Sequence, residues 1–142
     1  MLIEKKVHNL LIETCVSVPP ETGGIIGGHN DIIDIFAFDK SSGTSFNNSY
    51  RPNTMYLNKL INLWAKNEIV FYGVFHTHFF DKIILSAPDK GYIFRIMSAI
   101  PPTILKLYFP LIFPKDRMEA YVAVRKENET HIEKDTVIIV DK

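Results

Sequence analysis

The chain has 142 residues, 46% of them hydrophobic, with 16 basic and 16 acidic side chains and a formal net charge of zero. That length and composition suffice for one hydrophobic core, so a single domain spanning 1–142 is expected. The balanced charge gives no electrostatic case for nucleic acid or an anionic membrane, and one cysteine, Cys15, excludes an intrachain disulfide and fits a reducing compartment. Glu4, Lys5 and Lys6 stand where a signal peptide needs its apolar core. Residues 100–114 are strongly apolar, but Pro101, Pro102, Pro110, Pro114 and Lys106 rule out a spanning helix there. A cytoplasmic protein is the simplest expectation.

In chain order, Ile3, Val7, Leu10 and Leu11 fall at i, i+4, i+7 and i+8, an amphipathic first helix that ends before Pro19-Pro20. Residues 22–28 read as a strand whose glycines allow close backbone approach. A turn-like cluster from Gly28 to Asp31 leads into a second strand over 32–38. Residues 39–53 are a polar loop, long enough to serve as a lid or binding loop or to be an ordinary surface loop. Leu57, Leu60, Ile61 and Trp64 give a helix capped by Asn53 or Thr54. Residues 68–75 read as a buried strand, and a helix starting at Ser86 runs through Tyr92, Ile93, Ile96 and Met97 to stop before Pro101. Strands are expected over 103–109, 117–125 and 136–140, the last two antiparallel. The apolar run 107–113 reads as core or a dimer contact, with core favoured. The order α-β-β-α-β-α-β-β-β implies an α/β fold, a mixed sheet sandwiched by helices.

One constellation carries chemistry. His76 and His78 follow the buried strand two residues apart, so they share one face and form a bidentate clamp. Thr77 points the other way, towards the wall behind. Ser86 suits an N-cap and Pro88 the first turn, which places Asp89 where the helix dipole favours its ionised form. Two imidazoles and a carboxylate are the three protein ligands of an open catalytic zinc site. A further acid, Glu21, is available to take a proton from water. Singly, each residue has an ordinary reading: a satisfied core histidine, a cap, a dipole-compensating acid, a solvated loop acid. The paired histidines with the spaced aspartate make metal binding the better expectation.

This pattern resembles the JAMM motif of the JAB/MPN metalloprotease family: Glu, His-Ser/Thr-His, seven residues, Ser, two residues, Asp. The chain matches at Glu21, His76-Thr77-His78, Ser86 and Asp89. The stretch from Pro20 to Gly28 is similar to the Glu-bearing strand of that family, and the likeness covers roughly residues 19–100. In size the chain looks most like the small prokaryotic members. The resemblance implies a JAB/MPN-like, cytidine-deaminase-like architecture with Zn²⁺ held by His76, His78 and Asp89. It implies Glu21 as general base and proton carrier, Ser86 as donor to the oxyanion, and hydrolysis of a peptide or isopeptide bond. Phe79 stands where many members have Pro; Phe79 and Phe80 are candidate substrate-binding residues, and with Ile83, Ile84 and Leu85 they read either as an apolar groove for an extended substrate chain or as core. The implied partner is a protein or peptide, with a ubiquitin-like sulfur carrier ending in Gly-Gly as one candidate. A homodimer is a further expectation, because the fold often pairs with itself.

Other classes fit less well. The His-Glu-x-x-His motif of zincins is absent. His131-Ile132-Glu133 carries the His-x-Glu of nucleotide deaminases without the Pro-Cys-x-x-Cys partner. The glycine-rich stretch 23–28 lacks the Gly-Lys-Ser/Thr of a phosphate-binding loop. The competing expectation is a catalytically silent interaction module on the same fold.

Overall fold

The computed structural model describes residues 1–15, 22–39, 52–78, 85–113 and 117–141. Its elements are β1 (Leu2–Glu4), α1 (Lys5–Thr14), β2 (Gly23–His29), β3 (Ile32–Phe38), α2 (Thr54–Lys66), β4 (Val70–Thr77), α3 (Ala87–Ala99), β5 (Lys106–Tyr108), β6 (Leu111–Phe113), β7 (Arg117–Lys126), β8 (Glu129–Asp135) and β9 (Ile138–Val140). The nine strands among the described residues form one mixed sheet. From one edge it runs β9, β1, β3, β2 and β4. The short β5 and β6 then both lie between β4 and β7, and β8 pairs with the far side of β7.

Side-chain alternation along the central strands builds two cores. Ile25, Val74, Leu111 and Phe113 face α2 and α3, packing on Leu57, Trp64, Ile93 and Met97. Their neighbours Ile26, Phe75 and Ile112 face the opposite side, packing with Val7 and Leu11 of α1. The sheet is thus sandwiched by helices, as the period-two pattern implies. Each such aliphatic or aromatic side chain contributes about 1.5–3 kcal/mol when fully buried.

Local chemistry sets the element boundaries. Asn30 and Asp31, both at positive φ, make the two-residue hairpin turn between β2 and β3. The Asn53 side chain accepts from the Tyr56 amide and caps α2. At the far end of α3, the Arg125 guanidinium donates to the Met97 carbonyl at 2.8 Å, satisfying one of the helix's terminal acceptors. Cys15 is buried, and that burial pushes its thiol up to about 11 against a smaller opposing hydrogen bond with Thr14. It is therefore a protonated packing residue at neutral pH, not a nucleophile.

Several expectations are corrected. Ile3 belongs to β1, not to the first helix: it is fully buried between Ile33 and Ile139 in parallel pairings, and the helix starts at Lys5. The apolar run 107–113 packs as core, the favoured reading, but it is broken near Pro110 into β5 and β6. The expected strand over 103–109 therefore starts only at Lys106. The segment 129–135 is a strand that the polar composition concealed. β7 and β9 are not partners: β7 pairs antiparallel with β8, and β9 pairs parallel with β1 on the opposite edge. Among the described residues no helix is long and apolar enough to cross a membrane.

Candidate metal centre

The C-terminal end of β4 is tied on both sides. The Thr77 amide donates to the Thr22 carbonyl at 2.8 Å, and Thr77 Oγ1 accepts from the Thr22 amide at 2.9 Å. On the other flank, the His76 and His78 amides donate to the carbonyls of Pro110 and Ile112, at 3.3 and 2.9 Å. Thr77 faces the wall behind, as expected. With the backbone held, strand alternation sends both imidazoles to the α3 side of the sheet. His76 is fully buried and His78 is 6% exposed.

α3 delivers the carboxylate. Ser86 Oγ accepts from the Asp89 amide at 3.2 Å, and Asp89 Oδ2 accepts from the Ser86 amide at 3.0 Å, a reciprocal capping box. Pro88 lies in the first turn, where its missing N–H costs nothing. The box orients the carboxylate so that both oxygens meet the histidines. Asp89 Oδ2 lies 3.0 Å from His78 Nε2, and Oδ1 lies 3.3 Å from His76 Nε2. Burial would raise the Asp89 carboxyl. Hydrogen bonds with His76 and His78, attraction to His76 and the Ser86 amide outweigh it and hold the group well below the usual carboxylate range. Asp89 is therefore an anion across the working pH range.

The donor set fits a cation. The two Nε2 atoms lie 3.0 Å apart, and together with the Asp89 oxygens they fall within 4.8 Å of one another. Facing imidazole lone pairs repel unless a proton or a cation lies between them. Ligands of a tetrahedral zinc, at about 2.0–2.1 Å from the metal, would be separated by roughly 3.3 Å. The Nε2–Nε2 separation of 3.0 Å, and the carboxylate oxygens 3.0 Å from His78 and 3.3 Å from His76, are of that order. Neutral imidazole and carboxylate also suit other divalent ions, so geometry selects a metal site more firmly than a particular metal.

Around this group, the Tyr92 hydroxyl lies 3.0 Å from His76 Nδ1, a contact the sequence reading missed. The available signal was its position three residues after Asp89, on the same helix face. Phe113 meets the His78 ring edge-on at 5.8 Å, and the Arg117 guanidinium stands over Phe113 at 5.3 Å.

Among the solved structures with a similar fold are two that match over nearly the whole chain. One is the solution structure of a protein from Desulfitobacterium hafniense, with TM-score 0.70 and 17% identity, covering 99% of this chain and 93% of that one. The other is the crystal structure of a JAB1/MPN domain protein from Archaeoglobus fulgidus, with TM-score 0.60 and 15% identity, covering 99% and 100%. The fold is MPN-like. No family model matches the sequence, and no curated protein matches it. At such identities the likeness speaks for architecture alone, and the MPN-like fold agrees with the sequence expectation at that level.

Within this MPN-like frame, His76, His78 and Asp89 are brought together, and Ser86 sits beside them as the cap of α3. Leu85 is buried in the core against α2 and α3 rather than lining an open groove. Glu21, Phe79, Phe80, Ile83 and Ile84 lie outside the described residues, as does the 40–51 part of the long loop. Thr22 and Gly23, which follow Glu21 in sequence, are bound to the histidine strand, with Gly23 paired to His76.

Proposed function

We propose that this protein is a JAMM-type zinc hydrolase that cleaves peptide or isopeptide bonds. The observation that carries the reading is the convergence of the buried His76 Nε2 and His78 Nε2 with the Asp89 carboxylate at ligand-to-ligand spacing. A zinc ion held by these three residues would polarise the scissile carbonyl and lower the pKa of water to about 7. Asp89, held as an anion chiefly by His76 and His78 and oriented by the capping box, and the two imidazoles would leave one position open for water and substrate. Glu21 would take the proton from that water and pass it to the leaving amine, which needs no covalent enzyme intermediate. Thr22 and Gly23 support this role, because they run alongside His76 and Thr77. Ser86 Oγ uses a lone pair to cap α3, which leaves its O–H to donate to the developing oxyanion.

The proposed substrate is a protein or peptide, with the C-terminal Gly-Gly tail of a ubiquitin-like protein the foremost candidate. A side-chain-free tail can approach a recessed metal closely. The proposed setting is the cytoplasm, with the chain acting as one domain.

The test is zinc content and hydrolysis of Gly-Gly-tailed fusions by wild type, His78→Ala and Glu21→Gln. About one zinc per chain is expected in wild type, lost along with activity in His78→Ala. Glu21→Gln should keep the metal and lose turnover. Bound zinc with no turnover on any amide substrate would favour the silent interaction module. Failure to retain zinc after reconstitution would overturn the metal reading itself.

A further inference from the structure

We infer that Tyr92 is a positioning residue that holds His76 in the tautomer able to bind metal through Nε2. The inference rests on the metal site proposed above and adds to it a residue outside the ligand set.

An imidazole that ligates through Nε2 must carry its proton on Nδ1, and the partner of Nδ1–H decides how firmly that tautomer and ring angle are kept. Here Nδ1 of His76 lies 3.0 Å from the Tyr92 hydroxyl, with both side chains buried. In the metal-binding tautomer Nδ1–H donates and the phenolic oxygen accepts. The phenol suits this task because its oxygen can accept while its own proton turns elsewhere.

The placement is rigid. Tyr92 follows Asp89 by three residues on α3, so one helical turn supplies both a ligand and the group that orients a second ligand. The Tyr92 ring packs edge-on against His76 at 5.7 Å and against Phe109 at 6.2 Å. Phe109 is itself fully buried. The capping box that fixes Asp89 also fixes the helix start from which Tyr92 projects. Any displacement of α3 would therefore move the carboxylate and the His76 partner together.

The experiment compares wild type, Tyr92→Phe and Phe109→Leu for zinc affinity by chelator competition, and reads the imidazole ¹⁵N signals of zinc-loaded wild type. Tyr92→Phe keeps the ring and removes only the hydroxyl. It should weaken zinc binding about 10–100-fold. Phe109→Leu removes the edge contact on the phenol but spares its hydroxyl, so it should lower the melting temperature and weaken zinc binding by clearly less than Tyr92→Phe does. Zinc-loaded wild type should show a protonated Nδ1 and a metal-bound Nε2 at His76. A Tyr92→Phe affinity within twofold of wild type overturns the inference, as does an equal loss in Phe109→Leu. An unprotonated Nδ1 at His76 overturns it without any variant. Wild type that binds no zinc removes the metal reading as well, so the two failures are distinguishable.

Discussion

Ser86 has one observed role, as the cap of α3, and one proposed role, as oxyanion donor, and its substitutions separate them. Its hydroxyl oxygen caps α3 through the Asp89 amide. Removing an N-cap serine in favour of alanine costs about 1 kcal/mol, whereas glycine in its place costs only a few tenths. An oxyanion donor, by contrast, is worth roughly 10²–10³ in turnover whichever residue replaces it. Ser86→Gly should therefore melt close to wild type yet lose two to three orders of magnitude in hydrolysis, and Ser86→Ala should lose both. If Ser86→Gly hydrolyses amides at wild-type rate, the serine is only a cap. At this scale the convergence of His76, His78 and Asp89 was legible because each obeys a local rule: a two-residue strand period for the histidines, and a cap signature at Ser86 that places Asp89. Tyr92 was not legible as part of the site. A tyrosine on an apolar helix face reads as packing until the partner of its hydroxyl is seen.

The strand that carries the histidines depends on one glycine. Gly73 has φ of +155°, and a Cβ there would meet the Tyr108 carbonyl oxygen at 1.8 Å, where β5 runs parallel to β4. Gly73→Ala must both adopt a backbone conformation that side chains disfavour and push β5 away. It should destabilise the protein by about 3 kcal/mol in urea unfolding. Gly91 in α3 is the contrast, since a Cβ there would meet nothing closer than the Arg95 guanidinium at 3.6 Å. Gly91→Ala should stabilise by about 0.5–1 kcal/mol, the usual gain in a helix interior. Equal effects of the two changes would remove the argument from close approach. Elements with an undiluted period were legible: β3, α2 and α3 match expectation within one or two residues. β8 was not. Glu129, His131, Glu133 and Lys134 are exposed on an edge strand, and its hairpin turn uses Glu127 and Asn128 at positive φ instead of a glycine. β1 was hidden because three residues cannot display a strand period against the helix that follows.

Topology was the least legible level, because it depends on which distant segments meet. Nothing local tells β9 to pair with β1 rather than with β7, and these parallel partners lie 136 residues apart in the Leu2–Ile138 pairing. The proposed site has the same long-range character. It joins the end of β4 to the start of α3, and β4 is bound in turn to Thr22 before β2 and to Pro110 and Ile112 around β6. A ligand bound only by the assembled group stabilises the folded state by RT ln(1 + [L]/Kd), about 2.7 kcal/mol at one hundred times Kd. For a chain of this size each kcal/mol is worth about 2–4 °C, so zinc at that excess should raise the melting temperature by about 5–10 °C. Chelation should reverse the shift, and His78→Ala should melt at the same temperature with and without zinc. A similar shift in His78→Ala would place the binding elsewhere on the molecule. A metal-independent melting temperature in wild type would mean that the three ligands converge through folding alone, with their mutual hydrogen bonds and the Asp89 charge sufficient to hold β4 and α3 together.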